Sequence, residues 1–337
     1  MRKLNIDDVA RLAYVSRSVV SRVLNNRPNV SKEARARVQA VIKKYNYRPS
    51  ATARSLATDR NYEISILAPR KKDDVFANGF WSLLFLGISE ACIRRGYHVS
   101  LNMIAKEAEA EINDRILNGH SLDGYILIGE EVADRTLPAL KQRGLPVALV
   151  GNAPSYPELR SVDVDNVEGG HKATMHLLRL GHRRIAAIQG PLSTQEAVDR
   201  FEGFLRAHRE VGIDVDSSLC MEGDYSQQGG HDCMQQLLGQ KPTAVMCSSD
   251  AQASGALLAA HRAGISVPKD LSVIGYDDLP SARFTIPPLT TMRQPIYKMG
   301  ERVAGIVLNQ IEETEEDAVH DHLQAVLVER ETTSAPS

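Results

Sequence analysis

The sequence predicts an all-α head followed by an α/β body of two doubly wound lobes, and three observations carry that expectation. The first is charge. Up to Arg60 the chain has 14 Lys and Arg against four acids, a net +10; the remainder has 26 basic and 38 acidic residues, a net −12 that the whole-chain value of −2 conceals. The second is spacing: apolar residues recur every three or four positions through three short segments, then give way to short apolar runs that alternate with longer helical patterns. The third is punctuation. Gly96, Gly144, Gly181, Gly212 and Gly264 each close a helical pattern ahead of a strand, all but Gly181 with an apolar residue next. At 337 residues and 43% hydrophobic content the chain is too long for one ordinary core.

Asn5 is placed to cap a first helix whose third residue is Asp8, a variant of the capping box, with Ile6, Val9, Ala10 and Ala13 on one face. After Tyr14-Val15, Ser16 caps a second helix that turns Val20, Val23 and Leu24 inward. Its other side carries Arg17, Ser18, Ser21, Arg22 and Asn25, side chains that hydrogen-bond base edges and phosphates. Arg17 and Ser18 lie in the first turn, the part of a recognition helix that enters a groove deepest. Ser31 opens a third helix striped by Ala34, Val38, Val41, Ile42 and Tyr45, so three stripes make a miniature core. A solvated basic tail would lack them. Pro49 then ends one element and Ser50 caps another of about two turns, which is marginal alone because an isolated helix needs roughly 12 to 15 residues. It is expected to fold only when docked.

From Glu63 onward, strand-like runs at 64–68, 99–103, 124–128, 147–150, 185–188, 244–247 and 272–276 alternate with helical patterns, the rhythm of parallel sheets. About 270 residues follow the head, which favours two lobes over one sheet. Ligands of such sheets sit beyond the carboxyl ends of the strands. The polar and aromatic residues there are Tyr225, Ser249-Asp250 and Asp277-Asp278, with Arg200 on a following helix. An arginine fork with a carboxylate and an aromatic face suits a sugar and equally a nucleobase. Arg200 is also readable as a surface ion-pair residue, and Asp278 as a helix cap rather than a ligand contact. Trp81, at the start of a helix through Leu83, Leu84, Gly87 and Ile88, fits cleft and core alike.

Signatures of catalysis are missing. No G-x-S-x-G elbow, phosphate loop or G-x-G-x-x-G fingerprint occurs, and adjacent Asp277-Asp278 makes a poor glycosidase pair. Gly169-Gly170 and Gly229-Gly230 are weak signals near helix starts, and His171 with His176 has the wrong spacing for a one-face metal pair. The chain is therefore expected to be no enzyme and to use no metal or cofactor. Cys92, Cys220, Cys233 and Cys247 are scattered without ligand spacing and read as reduced thiols. With no apolar signal core at Met1–Asp8 and no run approaching roughly 18 apolar residues, the expected location is cytoplasmic, without membrane contact.

Asp8-Val9-Ala10, Val15-Ser16, the run Val20 to Asn25, Val30-Ser31, Tyr47-Arg48-Pro49 and the run Ala53 to Ala57 resemble the LacI/GalR family of bacterial transcription regulators, colinearly over nearly the whole chain. The resemblance implies a helix-turn-helix DNA-binding domain at 1–48, a hinge helix and linker at 49–61, and an effector-binding and dimerisation domain at 62–337. That last domain would be a type I periplasmic-binding-protein-like fold, with lobe one about 62–160 and 291–320 and lobe two about 161–290 and 321–331. The lobe crossings would fall near Arg160, Thr290 and His320. Implied DNA contacts are Asn5, Ser16, Arg17, Ser18, Ser21, Arg22, Asn25, Ser31, Tyr47, Ala53, Arg54 and Leu56, the last wedged into a kinked central base step. Implied effector contacts are Asn78, Phe80, Trp81, Arg200, Tyr225, Ser249, Asp250, Asp277 and Gln294.

The same resemblance implies a homodimer on a pseudo-palindromic operator. It would be a repressor of carbohydrate-utilisation genes released by a small sugar; a nucleobase or other metabolite acting as co-repressor is the alternative. A secreted solute-binding protein would share the body but not the basic head. Four departures stand out: Tyr14 replaces a common Gly, Gly79 a proline, Ser249 an asparagine, and Gly151-Asn152 an Asp-Arg pair. Effector identity is therefore not transferable from a relative, and a non-glycine at a left-handed turn would be strained. No apolar heptads follow the last strand, so a dimer is expected rather than a tetramer.

Overall fold

Asn5 accepts the Asp8 N–H at 2.8 Å while an Asp8 carboxylate oxygen accepts the Asn5 N–H at 3.1 Å, a reciprocal cap that starts α1 (Ile6–Leu12). In the computed structural model, which describes residues 4–24, 28–47, 60–69, 79–104, 109–118, 122–152, 154–314 and 319–337, two compact units form: Met1–Tyr62 with Ser121–Asp123, and the remainder. Within the first unit, α2 (Arg17–Leu24) begins where Ser16 Oγ accepts the Val19 N–H, and α3 (Lys32–Tyr45) where Ser31 Oγ accepts the Ala34 N–H. Val9, Ala10, Ala13, Val20, Val23, Val38 and Tyr47 are buried together. Tyr45 departs from the expected stripe, being 45% exposed. Asn46 turns the chain at φ 47°, the Tyr47 N–H bonds to the Ile42 carbonyl, and Tyr47 supplies the aromatic ring of the core instead.

The second unit begins β1 (Glu63–Pro69), α4 (Gly79–Arg94), β2 (His98–Ile104), α5 (Glu109–Asn118), β3 (Gly124–Ile128), α6 (Glu130–Gln142), β4 (Val147–Val150) and β5 (Ser161–Val164). It continues α7 (Asn166–Arg179), β6 (Ile185–Gln189), α8 (Gln195–Glu210), β7 (Cys220–Glu222), α9 (Gln227–Leu237), β8 (Ala244–Cys247), α10 (Asp250–Arg262) and β9 (Ser272–Asp277). Last come β10 (Thr290–Arg293), α11 (Ile296–Glu312), β11 (His320–Leu323) and β12 (Val326–Val328). One sheet has the order β11-β5-β4-β3-β1-β2 and is parallel throughout; the other has the order β12-β10-β9-β8-β6-β7, with only β12 antiparallel. The two sheets share one winding, each reversing direction beside its first strand, at β1 and β6. All five glycines read as helix stops have positive φ, as that role requires.

Helices pair face to face on each sheet through glycines. A Cβ on Gly87 would lie 2.1 Å from the Tyr297 carbonyl, one on Gly170 2.2 Å from that of Arg200, and one on Gly230 2.2 Å from that of Gln252. Gly170 and Gly230 thus serve close backbone packing of α7 on α8 and α9 on α10.

β5 belongs to the first sheet and α7 packs on the second; α11 returns to the first, and the chain leaves it again after β11. The crossings therefore fall at Asp165, at Gln294-Pro295 and at Gln324-Ala325, a few residues beyond Arg160, Thr290 and His320. Each is preceded by a four-residue strand that the apolar pattern does not mark, because Ser161-Val-Asp-Val, Thr290-Thr-Met-Arg and His320-Asp-His-Leu mix polar residues with apolar ones. The Asp165 N–H bonds to the Leu323 carbonyl at 2.9 Å, joining the first crossing to the third. No described helix is long and apolar enough to cross a membrane.

Candidate functional site: a DNA-facing helix and a ligand cleft

In the head, burying Val20 and Val23 leaves Arg17, Ser18 and Arg22 exposed and Ser21 half-buried on the other side of α2. Ser16 and Ser18 share a hydrogen bond of 2.8 Å between their hydroxyls. Asn5 and Ser31 are exposed, with their side chains engaged as caps. Tyr47, expected at the DNA surface, has its ring in the core, at 8% exposure. Tyr14 stands in the turn between α1 and α2 at φ 53°, 84% exposed. Asn25, Ala53, Arg54, Leu56 and nearly all of the 49–61 hinge lie outside the described residues, as does Asn78 of the cleft.

In the body, the carboxyl ends of β6, β8 and β9 gather around Arg200. This side chain projects from α8 and is 5% exposed. Its Nε donates to Asn166 Oδ1 at 2.9 Å and its Nη1 to the Ser248 carbonyl at 2.6 Å. The guanidinium carbon lies 3.9 Å from the centre of the Tyr276 ring and 6.0 Å from that of Tyr225, the geometry of a cation held over aromatic faces. Burial works against its charge, but facing Tyr225, Tyr276, Asp277 and Glu196 more than offset this and raise the pKa. Both tyrosines are seated on glycines: a Cβ on Gly169 would meet the Tyr276 hydroxyl at 1.9 Å, and one on Gly190 the Tyr225 ring at 2.2 Å.

Asp277 ends β9 at φ 127°, a backbone region that side chains rarely adopt, and is 4% exposed. Burial pushes its carboxyl up to about 6 against the lowering influence of Arg200 and of a hydrogen bond from Gln294. That bond, Gln294 Nε2 to Asp277 Oδ1, is 2.6 Å. Among the described residues, Gln189 Oε1 at the end of β6, Gln252 Oε1 and the Tyr225 and Tyr276 hydroxyls are buried polar atoms without a hydrogen-bond partner. Buried polar atoms left unpaired are costly, and here they supply hydrogen-bonding sites to an incoming polar molecule.

The other expected contacts are placed differently. Ser249 caps α10, its Oγ accepting the Gln252 N–H at 3.1 Å. Asp250 is 1% exposed and turned into the protein, where it accepts the Leu279 N–H at 2.7 Å and the Thr291 hydroxyl at 2.5 Å. Burial and the neighbouring Asp277 charge raise its pKa well above the usual carboxylate value. Asp278 is neither a helix cap nor directed at Arg200; it is ion-paired with Arg330 and with Arg293. Burial pushes this carboxyl up, but the two arginines outweigh that effect and hold it below the ordinary range. Phe80 and Trp81 are half-buried at the start of α4, their rings 6.0 Å apart edge to face. A Cβ on adjacent Gly79 would lie 3.6 Å from the Leu279 side chain, so this end of α4 meets the loop after β9 across the cleft.

Asn166, Ser248, Gln189 and Tyr276 join the cluster without having been singled out in the sequence. Tyr276 carried a signal, since it immediately precedes Asp277 at a strand end. Asn166 did not, because an asparagine after a strand reads as a cap; the cap of α7 is Asp165, which accepts the Glu168 N–H at 2.9 Å.

The model of bacterial regulatory proteins of the lacI family matches residues 5–50, and that of a periplasmic binding protein-like domain matches residues 174–333. The HTH-type transcriptional repressor PurR of Photorhabdus laumondii subsp. laumondii is 35% identical over 333 residues, covering 96% of this chain and 95% of that protein. The ribose operon repressor of Escherichia coli K12 is 35% identical over 327 residues, covering 96% and 98%. Among solved structures, the lac repressor dimer bound to operator and the anti-inducer ONPF superposes with a TM-score of 0.85 at 27% identity, covering 99% of this chain and 100% of that one.

Proposed function

Because the chain belongs to the lacI family of bacterial regulatory proteins, we propose that it is a repressor whose hold on operator DNA is set by a small sugar bound between the two lobes. It is a ligand-responsive DNA-binding transcription regulator and not an enzyme. The observation that carries the sugar reading is Arg200: a buried cation aimed by Asn166 and Ser248, backed by Tyr276 and faced by Asp277, which Gln294 holds in turn. A guanidinium and a carboxylate on one cleft wall offer donors and acceptors to neighbouring hydroxyls, and Tyr225 offers an apolar face to a sugar ring. The 35% identity to a ribose operon repressor supports the same class.

Sugar binding draws the lobes together about the three crossings, and a differential affinity of about 1 to 3 kcal/mol between DNA-competent and released states is enough to switch the operator. On the DNA side, Arg17, Ser18, Ser21 and Arg22 read the major groove while Leu56 opens the central base step. The regulator works in the cytoplasm as a homodimer, pairing in part through the body's most exposed apolar side chains, Phe284 at 82% and Ile286 at 94%.

Tyr225, whose ring offers a stacking face, favours a second reading, in which a nucleobase acts as co-repressor. A thermal-shift screen of ribose, other pentoses, hexoses and purine bases separates the two, since a cleft ligand raises the melting temperature by mass action. A sugar that raises Tm and weakens operator binding supports the first reading; a purine base that alone raises Tm and strengthens operator binding overturns it.

A further inference from the structure

β5 carries a buried carboxyl one residue before its end. All four residues of Ser161–Val164 are buried, and Asp163 stands among them at 7% exposure, where an apolar side chain would avoid the cost of burying a carboxyl. Asp163 Oδ1 accepts the Val164 N–H at 2.7 Å, and Asn166 Nδ2 lies 3.3 and 3.4 Å from the two carboxylate oxygens and 3.0 Å from the Val164 carbonyl. The far side of the Asn166 amide, Oδ1, accepts from Arg200 Nε at 2.9 Å. A guanidinium has donors and no acceptor, so the atom facing Arg200 must be the amide oxygen, and Nδ2 must then face Asp163. The chain of bonds has one direction. It also bridges the lobes, since Asp163 belongs to the first sheet, Arg200 to a helix of the second, and Asn166 to the first turn after the crossing. Asn166 is not spent on capping α7, because Asp165 fills that role.

We propose that Asp163 and Asn166 are positioning residues for Arg200, fastening the guanidinium to the end of a first-lobe strand so that a ligand held at Arg200 is felt at the first crossing. The proposal rests on the reading of Arg200 as a ligand contact. Glu196, Asp199 and Arg200 of α8 and Tyr276 of β9 face Asp163, with Asp165 next along its own segment. Burial pushes the Asp163 carboxyl up to about 7; the Val164 N–H and Arg200 pull it down, and Glu196 and Asp199 push it further up. The relay therefore changes charge near neutral pH.

The test uses the full-length protein in two arms. Without ligand, the Tm losses of Asp163→Asn and Arg200→Lys are compared with that of the double variant, first with Asn166 present and then in an Asn166→Ala background. The double variant is expected to lose less than the sum of the two, and this coupling is expected to shrink severalfold once Asn166 is gone, to what the direct charge interaction of Asp163 and Arg200 leaves. Coupling undiminished without Asn166 would be direct charge interaction alone and would overturn the relay. If Arg200→Lys does not fold, solvent exchange of the Arg200 Nε–H is read instead; it is expected to quicken about tenfold in Asn166→Ala, and an unchanged rate overturns the proposal. With ribose as probe, Asp163→Asn is expected to weaken binding about tenfold at about pH 8 and less than about twofold at about pH 6, where wild-type Asp163 is itself protonated. An equal loss at both pH values would leave Asp163 a packing role only. If the wild-type protein does not respond to ribose, it is ribose as effector that fails, and the ligand-free arm still decides the relay.

Discussion

Gln294 holds Asp277: its side-chain amide donates to the carboxylate at 2.6 Å, and its backbone N–H bonds to the Asp277 carbonyl at 3.2 Å. Gln294 lies in the second crossing and Asp277 at the end of β9, so the acidic side of the cleft is fastened to one crossing as Arg200 is to another.

Asp277→Ala should weaken effector binding by about 2 kcal/mol or more, roughly thirtyfold, because it removes one partner of a buried charged hydrogen bond and leaves Arg200 undercompensated. Operator affinity without effector should be unchanged. Titration calorimetry with the sugar found by screening, alongside operator binding with and without it, checks both halves; preserved effector response would remove Asp277 from the site.

The stability contributed by Asp163 and Asp277 should fall as pH rises from about 4 to about 7, against the opposite trend of the buried His176, His182 and His208, whose pKa values are lowered by burial. Asp163 and Asp277 have folded pKa values raised to about 7 and about 6. Between the ordinary carboxylate value and those values the native state holds protons that the unfolded state has lost, so raising pH favours unfolding by up to about 1.4 kcal/mol per pH unit per group. Above about pH 8 the contribution is flat. The difference in Tm between the wild type and Asp163→Asn, measured across this range, should decline as pH rises, and a constant difference would refute the raised pKa of Asp163.

Operator affinity should drop steeply with salt as phosphate contacts release counterions. Arg17→Ala should cost about 1 to 3 kcal/mol on the preferred sequence and much less on random DNA, as expected for a base contact. Fluorescence anisotropy on both DNAs decides; equal losses would make Arg17 a phosphate contact.

Tyr14→Gly should stabilise the head by about 1 kcal/mol, because φ 53° places a Cβ against the following carbonyl and glycine has none. Slower amide exchange through Ile6–Leu24 in the full-length chain is the readout; faster exchange would mean that the exposed ring contributes more than the strain it costs.

Ile286→Asp should shift the dimer toward monomer by at least about tenfold in dissociation constant, since it puts a charge into an apolar contact. Sedimentation velocity over a concentration series measures this, and an unchanged profile would place the interface elsewhere.

Much of this molecule is legible in its residues. The Asn5-Asp8 cap, the Ser31 cap and the helix stops at Gly96 to Gly264 follow from local chemistry that tertiary structure does not override. The place of Asp277 follows from strand-end logic, while Arg200, inside α8, is marked only by the family resemblance. The same logic misleads at Ser249 and Asp250, because a strand end is also a helix start, and their side chains are taken by the Gln252 and Leu279 N–H groups and the Thr291 hydroxyl. β5, β10 and β11 were hidden by length and polarity, since four residues hold too little periodicity to oppose a Ser, Thr, Asp or His among them. Asn166 was hidden because its partner Arg200 is remote in sequence, and only the packing of α7 on α8 brings them together.

The three crossings form a single flexure. The first is bonded to the third through Asp165 and Leu323, and the second to the cleft through Gln294, so a displacement at one would have to be accommodated at the others. Recognition is thereby separated from travel. On the proposed function, substitutions on the cleft walls, at positions such as Tyr225, would change which molecule is held while the stroke that follows stays the same. Substitutions at Asp165 or Ala325 can reset the dose needed for that stroke without touching the molecule at all. A regulator built this way can acquire a new signal without relearning how to answer it.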